Sequence, residues 1–441
     1  MLTLQGERLP FCDGVSRRAF IKVGFLGLGG LTLPRLLEAR SEAAKRGSRS
    51  RSTSVIYLEL AGGPSQFETY DPKPDAPREV RGPFGVVPTR LPGVYFSELM
   101  AEQARVADKL AVVRSIHHDR SSHDPSSHLS QTGYYKSGPK GGVNQAPCIG
   151  SVAAKLRGPN AAGLPAYVAV PRRMRNGGAA YLGNAFEPFS TGGDPKQADF
   201  RVRNLGLPSG LDDRRLDDRR TLLSALDDVR RLVDSRGVAE AMDRFTWQAF
   251  ELVSGERARE AFDLAREPDH VRDGYGRNTV GQSMLLARRL VESGVTFVSV
   301  RVTGWDDHQN IEQRMRDKGP AYDRGVAALV RDIHERGLDR DVLVVAMGEF
   351  GRTPRINRNA GRDHWGALMS VLLAGGGLRV GQVIGASDRN GAVPADAPYR
   401  PENILAVAYR HLGIDPERTL PDFSGRPRYL LEERRLIAEL I

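Results

Sequence analysis

Two segments of the sequence place an acidic residue near a histidine, each directly after an apolar run. One segment holds Asp306 and His308, and the other holds Glu349 and His364. Carboxylate and imidazole groups together suit a hard or borderline divalent metal ion. These four residues are therefore predicted to bind a metal, and zinc, calcium, magnesium and manganese all remain open.

The segment with Glu349 and His364 spans residues 347–366 and also carries Arg352 and Arg362 among four glycines. Arginine holds oxyanions through paired N–H groups, so both arginines are predicted to clamp an anionic group of a substrate. A polar loop closed by a salt-bridge cluster is the alternative interpretation of this segment.

A third polar segment, 117–128, follows the apolar run 110–116 and contains four of the nine histidines. Histidines grouped with serine and aspartate directly after a strand favour a functional site. Ser126 or Ser127 is predicted to cap a helix that runs to residue 133. The N-terminus of such a helix would favour an anion.

Buried strands and amphipathic helices alternate along the chain, and they must position these polar segments. Apolar runs predict strands at 53–61, 110–116, 164–170, 295–302, 342–346, 368–374 and 380–384. Helical periodicity predicts helices at 97–107, 149–156, 279–293, 320–336 and 401–412. This order predicts an α/β fold with a mostly parallel sheet, which gathers polar residues at the carboxyl ends of its strands.

The domain organisation follows from changes in composition. Residues 1–52 form a leader and basic linker, and 53–441 are predicted to form a single α/β domain. Within that domain, 202–275 are predicted to be a helical insertion, because apolar residues recur there at helical spacing between Arg and Asp faces.

The leader carries Ser-Arg-Arg-Ala-Phe-Ile-Lys at 16–22, followed by an apolar run at 23–33. This motif resembles the twin-arginine export signal, which implies the export machinery as a partner and a location in the periplasm or cell envelope. The apolar run is shorter than the roughly 20 residues needed to span a bilayer. Contact with a membrane is therefore expected only through the leader, if it is not cleaved.

The net charge of +10 does not indicate a nucleic-acid-binding protein. Residues 1–52 contain ten Lys and Arg against four Asp and Glu, a net charge of +6, which leaves +4 for the rest of the chain. The two cysteines, Cys12 and Cys148, exclude a disulfide scaffold and a cysteine-based zinc site.

Five motifs together resemble those of the domain of unknown function 1501 family, which comprises exported, sulfatase-related proteins of the alkaline phosphatase superfamily. They are CDGVSRR at 12–18, GGPS at 62–65 with DPKP at 71–74, GWDDH at 304–308, GEFGRTP at 348–354 and GRDHW at 361–365. The resemblance implies a mostly parallel sheet between helices. It also implies metals at the strand ends that bind a phosphate or sulfate ester.

The resemblance also assigns roles to individual residues. Asp306 and His308 resemble the acid/His pair of one metal, His364 its late histidine, and Glu349 an aspartate ligand. His123 falls at the position of the nucleophile.

Three positions depart from the pattern of the wider superfamily. One is His123, which stands where the nucleophile belongs, so that no formylglycine can form there. The other two concern metal ligands. Phe350 replaces a histidine ligand, and Gly62-Gly63 stands where the first strand usually ends in an aspartate ligand.

The predicted function is an exported metal-dependent hydrolase of sulfate or phosphate esters, acting on a small molecule or a glycan. His123 would be the nucleophile or the general acid/base, with Ser126 or Ser127 as alternative nucleophiles. The alternative is a non-catalytic envelope protein that binds anionic glycans or a protein partner through a degenerate sulfatase-like cleft.

Overall fold

The computed structural model describes residues 52–137, 144–202 and 255–441. The predicted leader lies outside the described residues except for Ser52. So does most of the predicted helical insertion, residues 203–254.

Sixteen strands are present within the described residues. They are β1 (Ser54–Ala61), β2 (Val86–Pro88), β3 (Tyr95–Ser97), β4 (Leu110–Ile116), β5 (Tyr167–Val170), β6 (Phe189–Ser190), β7 (Phe297–Thr303), β8 (Val342–Met347), β9 (Gly351–Arg352), β10 (His364–Trp365), β11 (Met369–Gly375), β12 (Gln382–Ile384), β13 (Ala386–Ser387), β14 (Pro394–Asp396), β15 (Thr419–Pro421) and β16 (Pro427–Tyr429).

Nine α-helices accompany these strands in the described ranges. They are α1 (Arg78–Arg81), α2 (Ala101–Ala104), α3 (His123–Thr132), α4 (Ile149–Arg157), α5 (Glu256–Phe262), α6 (Asp269–Tyr275), α7 (Thr279–Ser293), α8 (Ile311–Glu335) and α9 (Pro401–His411). No helix in this part of the chain has both the length and the apolar character needed to cross a membrane.

Eight strands form one central sheet in the order β12-β4-β11-β8-β1-β7-β5-β6. Its pairs are parallel except those of β11, which runs antiparallel to both β4 and β8. The prediction of an α/β fold with a mostly parallel sheet is confirmed. The return of β11 has a local cause: the segment after β8 contains only the short strands β9 and β10 and no crossover helix, so the chain turns back at the same edge.

The two faces of the sheet bury separate apolar cores. Along β1, Ile56 and Leu58 face a core shared with α7 and α8, whereas Val55 and Tyr57 face a core shared with α4 and α9. Successive side chains of a strand point to opposite faces, so a strand covered on both faces reads as a continuous apolar run. Helices therefore sandwich the sheet, as predicted.

Helix boundaries agree with the sequence where caps mark them. Helix α7 has the predicted bounds, because the Asn278 side chain accepts a hydrogen bond from Gly281 N and Gly294 ends the helix at φ 116°. Helix α8 begins at Ile311 rather than at residue 320, so Pro320 lies inside it. The predicted helix at 97–107 is reduced to α2 flanked by short 3₁₀ turns.

Candidate metal centre

The polar residues predicted from the sequence meet at one edge of the sheet. Asp306 and His308 follow the carboxyl end of β7, and Glu349 follows that of β8. His364 precedes the antiparallel β11, which begins at this edge, and His123 opens α3 just beyond β4. Four separate segments of the chain thus supply these five side chains.

The Gly62-Gly63 turn allows β1 to approach this edge closely. Gly62 has a φ of 121°, and a Cβ atom there would lie 2.5 Å from the backbone nitrogen of Asp306. The N–H of Gly62 donates to both carboxylate oxygens of Glu349, at 3.0 and 3.1 Å. Glycine at this position therefore orients Glu349 instead of supplying a ligand itself.

Three histidines are oriented through their Nδ1 atoms. The acceptors are Glu349 Oε1 at 2.7 Å from His123, Asp363 Oδ1 at 2.9 Å from His308, and the Ser121 carbonyl oxygen at 2.9 Å from His364. Carboxylate and carbonyl oxygens only accept, so each Nδ1 carries a proton. In the neutral rings, each Nε2 then presents a lone pair, which is how carboxylates and carbonyls orient metal-binding histidines.

The three Nε2 atoms converge on the carboxylate of Asp306. His123 Nε2 lies 3.2 Å from Oδ2, and the Nε2 atoms of His308 and His364 each lie 3.0 Å from Oδ1. The donor atoms of Asp306, His123 and His364 lie within 4.8 Å of one another. We call these four residues, with His308 included, the His–Asp cluster.

The separation of two ring nitrogens tests whether a metal ion fits this cluster. His308 Nε2 and His364 Nε2 are 2.8 Å apart, so two lone pairs face each other unless a cation lies near both. Two ligand atoms on a tetrahedral zinc ion, each at about 2.0–2.1 Å, would be roughly 3.3 Å apart. The donor set suits a divalent metal ion, and His308 Nε2 and His364 Nε2 would have to separate by roughly 0.5 Å to share one.

Charge and burial shift the pKa values of the groups in the cluster. Burial raises the pKa of Asp306, but the hydrogen bond and the positive charge of Arg352 outweigh it, and the pKa lies well below its usual range. Burial lowers the pKa of His364, which keeps that ring neutral. The hydrogen bond to Glu349 raises the pKa of His123, while burial and the positive charge of Arg175 oppose the shift.

Arg352 lies beside the cluster, but its side chain is buried and is bonded to other residues of the protein. Its guanidinium donates to Asp306 Oδ1 at 2.6 Å, to the Gly63 carbonyl at 2.9 Å and to the Trp305 carbonyl at 3.1 Å. The prediction that Arg352 clamps a substrate anion is corrected, because its donors fix Asp306 and the end of β1.

Arg362 is also fully buried, and it forms an ion pair with Glu68 at 2.8 Å. Its remaining N–H groups donate to the carbonyl oxygens of Val80, Thr353 and Pro354. No N–H of this guanidinium is left for a substrate anion, so this prediction is corrected as well. The salt-bridge interpretation of the loop is the right one for Arg362.

Ser126 and Ser127 are not placed as predicted. Helix α3 begins at His123, with Ser122 in the N-cap position, so both serines lie inside the helix and are buried. Ser127 Oγ donates to the His123 carbonyl at 2.5 Å and accepts from Asn176 Nδ2 at 2.8 Å. Their predicted roles as caps and alternative nucleophiles are corrected, because both residues are buried inside the helix.

Of the four histidines at residues 117–128, His123 is the one that joins the His–Asp cluster. His118 is buried and bonds through Nε2 to the Glu349 carbonyl at 2.8 Å, and His128 bonds through Nδ1 to the Tyr134 carbonyl at 2.6 Å. Burial lowers the pKa of each to about 4. The sequence analysis missed the role of Asp363, whose position next to His364 was the available signal.

A cavity of about 810 Å³ opens beside the cluster, with His123 and His364 in its wall. Arg175 and Phe423 also line it, as do Lys136 and Arg173. A second cavity of about 810 Å³ is lined instead by residues at the start of α8 and around α1. The first cavity is the one whose lining includes residues of the His–Asp cluster.

Solved structures similar to this chain include a sulfatase and an alkaline phosphatase. Ps i-CgsB, in complex with k-i-k-neocarrahexaose, is 12% identical, with 82% of this chain and 72% of that chain covered and a TM-score of 0.41. PsFucS1 sulfatase from Pseudoalteromonas sp. is 12% identical, with 86% and 70% covered and a TM-score of 0.38. Alkaline phosphatase from the Antarctic bacterium TAB5 is 11% identical, with 82% and 98% covered and a TM-score of 0.39. TM-scores this low do not decide what the chain binds or does.

Comparison with curated proteins finds no match. The family model described as "Protein of unknown function (DUF1501)" matches residues 52–441, which is most of the chain and all of its described part. The resemblance found in the motifs is thereby confirmed, and the chain belongs to the DUF1501 family.

Proposed function

We propose that this protein is an exported, metal-dependent hydrolase of sulfate or phosphate esters. The observation that carries the proposal is the convergence of three Nδ1-anchored imidazoles on one carboxylate, with the Nε2 atoms of His308 and His364 at 2.8 Å. Groups arranged in this way bind a cation more readily than they bind each other.

Asp306, His123, His308 and His364 would hold the metal, and Glu349 would orient His123 from behind. The ligand set therefore differs from the predicted one, in which Glu349 was a ligand and His123 the nucleophile. Calcium and magnesium prefer oxygen ligands, whereas imidazole suits zinc and similar ions. Among the four metals considered, this donor set favours zinc.

When bound, the metal would polarise an ester oxygen and lower the pKa of a water molecule. The residues of the chain supply the rest of the arrangement. Arg352 holds Asp306 ionised at the cluster, and Glu349 and Asp363 keep the Nδ1 protons of their histidines in place. The cavity beside His123 and His364 admits the ester, and its basic side chains favour an anionic one.

Metal content and turnover test this proposal together. The purified chain should contain close to one transition-metal ion and hydrolyse 4-nitrophenyl sulfate or 4-nitrophenyl phosphate. His364→Ala should lose both properties. His334→Ala is the matched control, because among the described residues the His334 side chain bonds only to the Val330 carbonyl of its own helix. A metal-free protein with no turnover above that of His364→Ala would refute the proposal.

Export is the part of the proposal that depends on the leader. The motif at 16–22 supports it, so replacing Arg17 and Arg18 with lysine should retain the protein in the cytoplasm. Fractionation of cells that express each form measures this directly. Equal amounts of both forms in the periplasm would contradict a twin-arginine route.

A second candidate is a non-catalytic envelope protein that binds anionic glycans. The observation that favours it is the burial of Ser126 and Ser127, which removes the predicted hydroxyl nucleophiles from the cavity. Binding of a sulfated oligosaccharide that persists after chelation, without turnover of either aryl ester, would support this candidate over the hydrolase.

A further inference from the structure

The cavity beside the His–Asp cluster contains three basic side chains, and two of them are paired. Lys136 lies 3.1 Å from Asp124, and Arg173 lies 3.1 Å from Glu187. The side chain of Arg175 is exposed and has no hydrogen-bond or ion-pair partner among the described residues. Arg175 therefore has donors available for a ligand that enters this cavity.

Arg175 lies on the same cavity wall as His123 and His364. Its positive charge is close enough to act on the imidazole of His123. Helix α3 begins at His123, so the positive end of its backbone dipole lies in the same wall. Asp124 and Glu187 are the carboxylates of the lining that would oppose an anion here, and their pairing with Lys136 and Arg173 offsets their charges.

The backbone around Arg175 is fixed by a buried network. Arg175 N donates to Glu59 Oε1 at 3.1 Å, and Gln131 Nε2 donates to the same oxygen at 2.7 Å. Asn176 N donates to Gln131 Oε1 at 2.7 Å, and Asn176 Nδ2 donates to Ser127 Oγ at 2.8 Å. These bonds hold the backbone at Arg175 against strand β1 and helix α3, so the position of its Cα atom is fixed while its side chain can move.

We propose that Arg175 recognises the sulfate or phosphate group of the substrate, the role that the sequence had suggested for Arg352 and Arg362. This inference rests on the proposed function and specifies its binding residue. A guanidinium offers two parallel N–H groups that match a tetrahedral oxyanion, which a single ammonium cannot do. The anion is held next to the Nε2 atoms of the cluster, where the ester bond must lie to be hydrolysed.

Three variants test the role of Arg175 with 4-nitrophenyl sulfate and 4-nitrophenyl phosphate as substrates and inorganic sulfate and phosphate as ligands. Arg175→Gln should raise KM, and the dissociation constant of the preferred oxyanion, by roughly tenfold or more. Its kcat should change less than its KM, because the contact is present before and during the reaction. Arg175→Lys should recover part of the loss.

Arg172→Gln is the matched control, since it removes the same charge from the same loop but from an exposed arginine that does not line the cavity. Its oxyanion affinity should stay within about twofold of the wild type, because a surface charge outside the cavity is screened by solvent and salt. Thermal unfolding and metal content should be unchanged in all three variants. Wild-type affinity in a folded, metal-loaded Arg175→Gln protein would overturn the inference.

The experiment separates this inference from the proposed function. Turnover that is unaffected by Arg175→Gln would leave the hydrolase standing and refute the role of Arg175. Oxyanion binding that depends on Arg175, in a wild-type protein without turnover, would support this inference and refute the hydrolase. Failure of the wild type to bind inorganic sulfate and phosphate and to hydrolyse either ester would refute both.

Discussion

Replacing Glu349 with glutamine tests the proposed metal site while leaving all of its proposed ligands in the sequence. Glu349 is 3% exposed, and its carboxylate accepts from His123 Nδ1 and from Gly62 N. An amide has one oxygen, so its NH₂ group must face one of these two donors. Facing His123, it would favour the tautomer with the proton on Nε2, and that nitrogen could no longer bind a metal.

The size of the effect follows from what is lost. Loss of the carboxylate removes the negative charge that supports His123 and weakens the fixed tautomer. Changes of this kind behind a metal-binding histidine typically cost 10- to 100-fold in metal affinity. This corresponds to about 1.4–2.8 kcal/mol of binding free energy. The Glu349→Gln variant should therefore bind zinc 10- to 100-fold more weakly than the wild type. Its turnover should also be lower when metal is limiting.

Competition with a chromophoric chelator measures the zinc dissociation constant of each variant. Glu417→Gln serves as the control, because that carboxylate is 66% exposed and pairs only with Arg434 among the described residues. It should bind zinc as the wild type does. The reasoning would be refuted if Glu349→Gln retained wild-type affinity while His364→Ala lost it, since His123 would then not be a ligand oriented by Glu349.

Three further measurements address the stability of the same region. Removing the metal with a chelator should lower the melting temperature, and adding zinc back should restore it. If free metal had been at a thousandfold its dissociation constant, the loss in unfolding free energy is about 4 kcal/mol. A melting temperature that changes in neither step would contradict a bound metal. Glu68→Gln leaves the buried Arg362 uncompensated and should cost roughly 3–5 kcal/mol in urea unfolding, whereas a loss under about 1 kcal/mol would mean that the pair is not buried in solution. Burial raises the pKa of Glu59 from 4.5 to about 7, so the folded state holds a proton that the unfolded state releases, and stability should fall as pH rises from about 4.5 to about 7. The loss is on the order of 3 kcal/mol, and the Glu59→Gln variant should lack this slope in guanidinium unfolding at a series of pH values.

The central strands could be predicted because they are covered on both faces. Strand β4 has the bounds that its apolar run at 110–116 indicated. The ends of β8 and β11 each lie within one residue of the predicted ends. The gathering of Asp306, Glu349 and His364 could also be anticipated. Parallel strands end at a common edge, and the loop after β8 carries polar residues back to it.

Residue types alone could not predict that the Glu349 carboxylate bonds to Nδ1 of His123 and leaves Nε2 facing Asp306. An imidazole has two nitrogens, and which one is available depends on the acceptor that reaches the other. For His123 that acceptor is 226 residues away in the chain, and for His308 it is 55 residues away. The sequence identifies both residue types but not this pairing, so it does not indicate which of the two would bind a metal and which would orient the other.

The two loop arginines illustrate the same limit. Charged residues in a glycine-rich loop usually lie at the surface, which made Arg352 and Arg362 suitable for binding an anion. In the structure, Arg362 meets a carboxylate 294 residues earlier in the chain, Glu68, and both are buried. Arg175 showed no comparable signal in the sequence, because it stands among other arginines and glycines with no motif around it.

The single reversed strand explains why the cluster exists at all. Strand β11 has seven residues, which at about 3.3 Å per residue span roughly 23 Å. In a parallel β11, the residues before it would lie at the opposite edge of the sheet, so His364 would be about that distance from Asp306. Because β11 is antiparallel to β8, its first residues lie at the edge where β7 and β8 end. Residues 348–368, which contain no helix, return the chain to this edge directly and so bring His364 to Asp306, which completes the His–Asp cluster.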